Sequence, residues 1–274
     1  MDVIIYKISS FTLNGSGGNK AGVVLEADGL TSKDMLRIAN NVGYSETAFV
    51  MNSKIANFKV RFFTPLSEVD LCGHATIAVF NLLQQKEIIN LGIYTQETKA
   101  GVLRLDIRED AVYMEQKSPR YYEELTIEDI KNCFNNEIIT VIGQPIQILS
   151  TGVKEIFLPV NTLNDLNNLD PNLKMIKEIS KKYDVIGIHA FTTDGDVDAY
   201  SRNFAPIVGI DEESATGTSN GALSCYLYKY VNKKNKYILR QGFSMGLPSE
   251  IKSELKVVED EIIDVFVGGK AKII

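Results

Sequence analysis

Cysteine and histidine are scarce in this sequence: three cysteines, at 72, 133 and 225, and two histidines, at 74 and 189, among 274 residues. No two cysteines stand at CxxC spacing and an odd number cannot all pair, so neither a disulfide framework nor a zinc cluster is expected. The histidines lie far apart, which leaves a His-rich centre unsupported; no metal is expected. Long hydrophobic runs are missing too, and none reaches the length of a membrane-spanning helix. The opening MDVIIYKISSFTL lacks the basic, apolar and small-residue order of a secretory signal. A cytoplasmic location, with no membrane partner, is therefore expected. Positive charge is in deficit, 29 Lys+Arg against 35 Asp+Glu for a net charge of −6. No nucleic-acid partner is expected, because phosphate binding needs a basic footprint. The local Lys233-Lys234-Asn235-Lys236 run follows an apolar helical pattern and reads as a solvated helix end. What is present, 45% hydrophobic and 23% charged residues, is a globular composition. The length suits one large domain or two of ordinary size.

The chain repeats itself. Arg61-Phe62-Phe63-Thr64-Pro65 recurs as Arg202-Asn203-Phe204-Ala205-Pro206, an R-x-F-x-P pattern 141 residues later (202 minus 61). Each copy leads into an acidic segment, a polar turn containing glycine, and an apolar helix-like run. These are SEVDLCGHA with TIAVFNLLQQK in the first half, and GIDEESATGTSN with GALSCYLYKYV in the second. Upstream, TSKDMLRIANNVG opens on a capping-type Thr31 and carries apolar positions at helical spacing. Its counterpart DPNLKMIKEISKKY reads as a helix capped by Asp170 with Pro171 in the first position. LRLDI alternates strictly and turns through REDA into VYMEQ, which predicts a hairpin. EIITVIGQPIQILST and the closing EIIDVFVGGKAKII also read as strands. The expected fold is α+β: two pseudo-symmetric halves, each with a mainly antiparallel sheet and one enclosed apolar helix. The expected boundaries are 1–115 and 116–262, with 263–274 a candidate completion of the first half.

A helix N-terminus presents unpaired N–H groups and a partial positive charge, and so cradles anions where the backbone can be approached closely. Gly73 and Gly217 remove the side chain at that place in each half. If the halves are related by a pseudo-twofold axis, both helix starts can converge on one cleft, suited to a carboxylate or a developing enolate. Taken singly, each glycine reads more readily as a tight strand-to-helix turn. His74 stands at the first mouth and Glu213 at the second. Glu46 lies in the strand-like YSETAFV, where glutamate is disfavoured, and DVIGIHAFT, the matching second-half stretch, has no carboxylate. A single-copy acid in a duplicated scaffold suits a one-base proton transfer, although an exposed strand glutamate is the bland reading. Cys72 is a helix-mouth thiol, and so a candidate nucleophile or base. Its second-half mate is Ser214, a poor carbon-acid base, which disfavours a two-thiol racemase. NGSGGNKAG fits no nucleotide-binding glycine pattern, and His189 in IGIHAFT reads as a core or edge histidine.

The segments GGNKAGVVLEADGL, YSETAFV, RFFTPLSEVDLCGHATIAVF, QETKAG, FAPIVGIDEESATGTSNGALSCYLY and QGFSMGLPSEI, in that order, resemble the PhzF family within the wider diaminopimelate-epimerase-like superfamily. The resemblance implies curved sheets wrapped around central helices, a homodimer, no cofactor, and isomerisation by proton transfer at carbon. It implies Glu46 as general acid/base, with His74 and Glu213 as further catalytic groups. Asn19 of the Gly18-Asn19-Lys20 turn, Ser45, Gly73, Gly217 and Thr218 complete the expected set as substrate contacts. The chain departs from the family pattern at Glu213, Ser214 and Thr218, where Asp, Pro and Ser are usual, and at Leu247, where Arg is usual. A longer carboxylate and a missing guanidinium reshape the recognition of charge. The expected activity is a cofactor-independent isomerase moving a proton at carbon of a small carboxylate-bearing metabolite. A thiol-dependent racemase using Cys72 and a non-catalytic carboxylate-binding protein are the alternatives.

Overall fold

The computed structural model describes residues 3–274. The chain divides into two units, one running through Glu115 and including Gly268–Ile274, the other spanning Gln116–Val267.

The first unit contains β1 (Tyr6–Ser10), β2 (Asn19–Val24), α1 (Ser32–Val42), β3 (Glu46–Met51), β4 (Phe58–Phe63), the two-residue β5 (Glu68–Val69), α2 (Gly73–Gln85), β6 (Gly92–Thr98), β7 (Gly101–Ile107) and β8 (Val112–Gln116). The chain's last strand, Ala271–Ile273, pairs with β1. Antiparallel pairing dominates, and the parallel contacts are β2 with β3 and β4 with β6. Helix α1 begins in a capping box: Thr31 Oγ1 accepts from the Asp34 amide, and an Asp34 carboxylate oxygen accepts from the Thr31 amide. It ends at Gly43, whose φ of 70° is left-handed, with the Gly43 N–H donating to Ala39 O. Its apolar stripe, Met35, Ile38 and Ala39, packs on Val24, Phe49 and Phe63. Helix α2 is a different kind of helix: every residue from His74 to Leu83 is buried, as an enclosed helix requires. Strand residues alternate between faces. Phe49 faces α1, so Glu46, three positions earlier, lies on the opposite face.

The second unit contains β9 (Arg120–Leu125), α3 (Ile127–Ile130), β10 (Ile146–Ser150), β11 (Lys154–Pro159), α4 (Leu163–Asn167), α5 (Leu173–Tyr183), β12 (Ile188–Thr192), β13 (Ala199–Ala205), β14 (Ile210–Glu213), α6 (Gly217–Tyr230), β15 (Lys236–Gln241), β16 (Ser249–Val258) and β17 (Glu261–Gly269), the last two residues of which belong to the first unit. Apart from the additional short α4, the run from β10 to β15 repeats that from β1 to β6: two strands, a helix, two strands, a short strand, an enclosed helix and a strand. The parallel pairs recur at the same places, β11 with β12 and β13 with β15. Ile176 and Ile179 of α5 pack with Ile156, Leu158, Ile188 and Phe204 in the outer core of this unit. Helix α6 is buried from Ser219 to Tyr228.

The R-x-F-x-P repeat is a structural staple. Arg61 forks onto Glu68 with nitrogen–oxygen distances of 2.8 and 2.9 Å, and Arg202 onto Glu212 with both at 2.8 Å. Each guanidinium lies over the phenylalanine two residues on, 5.2 Å from the Phe63 centroid and 4.9 Å from that of Phe204. A planar fork matches a carboxylate in a way a lysine cannot.

Two sequence readings are corrected. Helix α5 starts at Leu173, not Pro171; its cap is Asn172, whose Oδ1 accepts from the Met175 amide. Asp170 is engaged elsewhere, its carbonyl and carboxylate accepting from Asn135, and Pro171 bridges to Phe134. Only Ile146–Ser150 of EIITVIGQPIQILST forms a regular strand. Ahead of it, Gly143 turns with a φ of 84° and Pro145 has no amide for a ladder.

Candidate active site

In the first unit, the α2 mouth and the starts of β2 and β3 bring four sequence-predicted side chains, Asn19, Ser45, Glu46 and Cys72, around one imidazole. His74 is the second residue of α2, directly after Gly73, and is buried. The Ser10 hydroxyl donates to the His74 carbonyl at 2.7 Å and ties the helix start to β1. Thr76 Oγ1 donates to the Cys72 carbonyl at 2.8 Å and in turn accepts from Gln96, tightening the same turn.

The Asn19 amide nitrogen lies 3.3 Å from His74 Nδ1. An amide N–H donating there makes Nδ1 the acceptor and leaves the ring proton on Nε2. Glu46 Oε2 lies 3.3 Å from Nε2, and Ser45 Oγ lies 3.5 Å from it. Oε2 is buried and makes no well-aligned hydrogen bond. The Glu46 side chain as a whole keeps 15% exposure against 5% for His74. The result is a carboxylate oxygen oriented by an imidazole and held out of bulk water, with lone-pair capacity to spare. An oxygen of that kind can accept a proton, and such contacts can tighten once a ligand is bound.

Cys72 is the N-cap residue of α2 and makes no side-chain cap hydrogen bond. Its Sγ lies 3.5 Å from His74 Nδ1 and 3.9 Å from Nε2. The thiol thus stands beside the imidazole; the sequence alone gave no such contact. Cys133 and Cys225 differ: burial pushes the Cys133 thiol up to about 12 and raises that of Cys225 further. Both are inert side chains of the core. Ligand atoms of Glu46, Cys72 and His74 all lie within 4.8 Å of one another, a mixed O, S, N donor set of the kind that borderline divalent ions take.

In the second unit, Glu213 ends β14 and its Oε2 accepts from Thr216 Oγ1 at 2.7 Å. Thr216 caps α6, Gly217 is its first residue, and Thr218 follows half-exposed. Gln241 clamps this mouth from β15. Its Oε1 accepts from the Thr216 amide at 3.1 Å and from Asn220 Nδ2 at 2.7 Å, while its Nε2 donates to the Glu213 carbonyl at 2.6 Å. Sequence reasoning passed over Gln241 and Asn220. The signal was there, in polar residues at buried positions of an apolar strand and an apolar helix.

A family model described as "Phenazine biosynthesis-like protein" matches residues 8–274. A protein of Clostridium acetobutylicum named as an uncharacterized isomerase is 33% identical, over 98% of this chain and 95% of its own. An Escherichia coli protein of the same description is 31% identical, over 98% and 96%. The crystal structure of a PhzF-family phenazine biosynthesis protein from Bacillus anthracis superposes with a TM-score of 0.91 at 29% identity, covering 100% of this chain and 98% of that one. This chain belongs to the PhzC/PhzF family and is an isomerase of PhzF type.

Proposed function

We propose that the protein moves a proton at carbon of a small carboxylate-bearing metabolite without a cofactor, with Glu46 as its general acid/base. The observation that carries this reading is the buried, unaligned Oε2 of Glu46, set 3.3 Å from His74 Nε2. Glu46 takes a proton from a carbon made acidic by an adjacent carbonyl or unsaturation, then returns it to another carbon or to the opposite face. His74 orients the carboxylate through Nε2–H while Asn19 fixes the tautomer. Amides at the helix starts, Gly73, Gly217 and Thr218, bind carboxylate oxygens of the substrate, which suits dipoles that favour anions. Ser45 contributes a further hydroxyl, and Glu213, held by Thr216, orients the substrate or relays a proton. We further read the active form as a cytoplasmic homodimer. Among the described residues no helix is long and apolar enough to cross a membrane.

General acid–base catalysis of this kind contributes roughly 10²–10⁴-fold. In deuterated water, with a panel of amino and cyclic carboxylic acids read by mass spectrometry, the wild type incorporates deuterium into its substrate. Glu46→Gln loses that incorporation and still binds; retained exchange rejects the role. The 3.5 Å contact between Cys72 and the imidazole favours one second reading, a thiol base. A Cys72→Ala variant that still exchanges deuterium removes it.

A further inference from the structure

The second unit contains a buried polar cluster that the proposed chemistry does not use. Glu155 of β11 and His189 of β12 have no accessible surface, and Asn203 of β13 and Ser219 of α6 are almost as enclosed. Asn203 Nδ2 lies 2.7 Å from Glu155 Oε1, 3.0 Å from His189 Nδ1 and 3.4 Å from Ser219 Oγ. With its two protons directed to Glu155 and His189, the amide makes Nδ1 an acceptor and leaves the His189 proton on Nε2. Three atoms then remain buried without partners: Glu155 Oε2, Asn203 Oδ1 and His189 Nε2. Two of them are acceptors if Glu155 is ionised, and among the described residues the groups acting on Glu155 include no cation. A proton on Oε2 turns one surplus acceptor into a donor and removes an uncompensated buried charge, which would be the costliest element of the cluster.

We propose that Glu155 is carried as an uncharged carboxylic acid and acts as a positioning residue for the first turn of α6. Its ionisation at higher pH loosens the Glu213–Thr216–Gly217 mouth. The path is short. Ser219, in that first turn, shares the Asn203 amide with Glu155. Asn203 pairs across the sheet with Glu213. The titratable groups facing Glu155 are His189 from β12 and Glu213 from β14; Ser219 from α6, Asn203 from β13 and its β10 partner Leu149 carry no charge. Burial, with Glu213's negative charge adding, lifts Glu155 to about 7, against the opposing hydrogen bonds from Ser219 and Asn203. Burial also lowers His189 to about 3, so the ring supplies no counter-charge. The protonation state stands on this geometry alone; its effect on the mouth rests also on the function proposed above.

The sign is set by linkage. A carboxyl raised in the folded state contributes stability that is complete below its unfolded value, near 4.5, and is lost as pH rises through about 7. Each pH unit in that window lowers the folding constant by up to about tenfold. The test takes wild type, Glu155→Gln and Glu155→Ala through denaturant melts across the window. The neutral isostere should flatten the fall and remain folded at alkaline pH; the alanine variant, which also lacks the titrating group, should flatten it too but be less stable at every pH, because Asn203 loses its Glu155 partner. An unchanged pH slope in Glu155→Gln overturns the proposal. Infrared spectra of wild type, which need no variant, should show a buried protonated carboxyl at about pH 6, where ordinary carboxylates are ionised; absence of that band also overturns it. With protonation established, an alkaline limb of deuterium exchange that moves in Glu155→Gln supports the link to the mouth. A limb that does not move rejects that link, without touching the role of Glu46.

Discussion

If His74 acts by orienting Glu46, its contribution should vanish once Glu46 can no longer accept a proton. Replacing His74 with Phe keeps an aromatic ring in the buried site and removes both nitrogens: Nδ1, which faces Asn19 at 3.3 Å, and Nε2, which faces Glu46 at 3.3 Å. A hydrogen bond to a charged group is worth about 1.5–3 kcal/mol, which corresponds to roughly 10- to 150-fold in rate. His74→Phe should therefore slow solvent-deuterium incorporation by about that factor. The loss should be smaller than that of Glu46→Gln, which removes the base itself. In the double variant the two losses should not multiply, because residues that act as a unit are strongly non-additive. Thermal melts of each variant confirm that loss of the contact between Asn19 and His74 has not unfolded the unit. A double variant slower than Glu46→Gln by the full single-variant factor would show His74 working independently of Glu46. A His74→Phe enzyme at the wild-type rate would show it not working at all.

Two further outcomes concern the staples. Arg202→Met should destabilise the second unit by about 3–5 kcal/mol in denaturant melts, since it strands Glu212 and the Leu166 and Leu169 carbonyls that the guanidinium serves; Arg61→Met, whose arginine is more exposed, should cost less. The Arg61 guanidinium, with Lys99 beside it, holds Glu68 down to about 2, so that contribution is present above about 4.5 and is lost as pH falls towards 2; Glu68→Gln should flatten this acid limb, and an unaltered limb would refute the assignment.

Local chemistry was the legible part of the sequence. Thr31 with Asp34 at N3 announces the start of α1, and Gly43 its end. The unbroken apolar run after His74 announces an enclosed helix. The R-x-F-x-P repeat exposes the duplication, because its arginine, its phenylalanine and the following acid form one object in each unit. What the sequence hid depends on register between strands distant in the chain. Asn203 stands where the first copy has Phe62, yet nothing local says that it meets Glu155 from 48 residues away. The α5 start moved for a similar reason: Asp170 is taken by Asn135, a partner 35 residues upstream. The contact of Cys72 with His74 turns on the geometry of one cap, which spacing alone does not fix.

Register also explains why the scaffold has one acid poised at a helix mouth and one sealed inside. Phe49 of β3 pairs with Arg61, and Ala190 of β12 pairs with the equivalent Arg202. Counting back three residues in each strand sets Glu46 against Gly187. On the neighbouring parallel strand, Ala21 pairs with Glu46, and Ile156 with Ile188, so the residue beside Gly187 is Glu155. Each unit thus has one glutamate and one small residue on adjacent strands, with the order reversed. Position 187 cannot take a side chain: a Cβ there would lie 1.9 Å from the Phe204 carbonyl oxygen, a backbone atom that cannot turn aside. The carboxyl of the second unit is consequently one strand over, with no exposed surface, where burial favours its neutral form. That of the first unit keeps 15% of its surface. Each repeat carries one carboxyl at this pair of strands, and the Phe204 carbonyl keeps the second one off position 187.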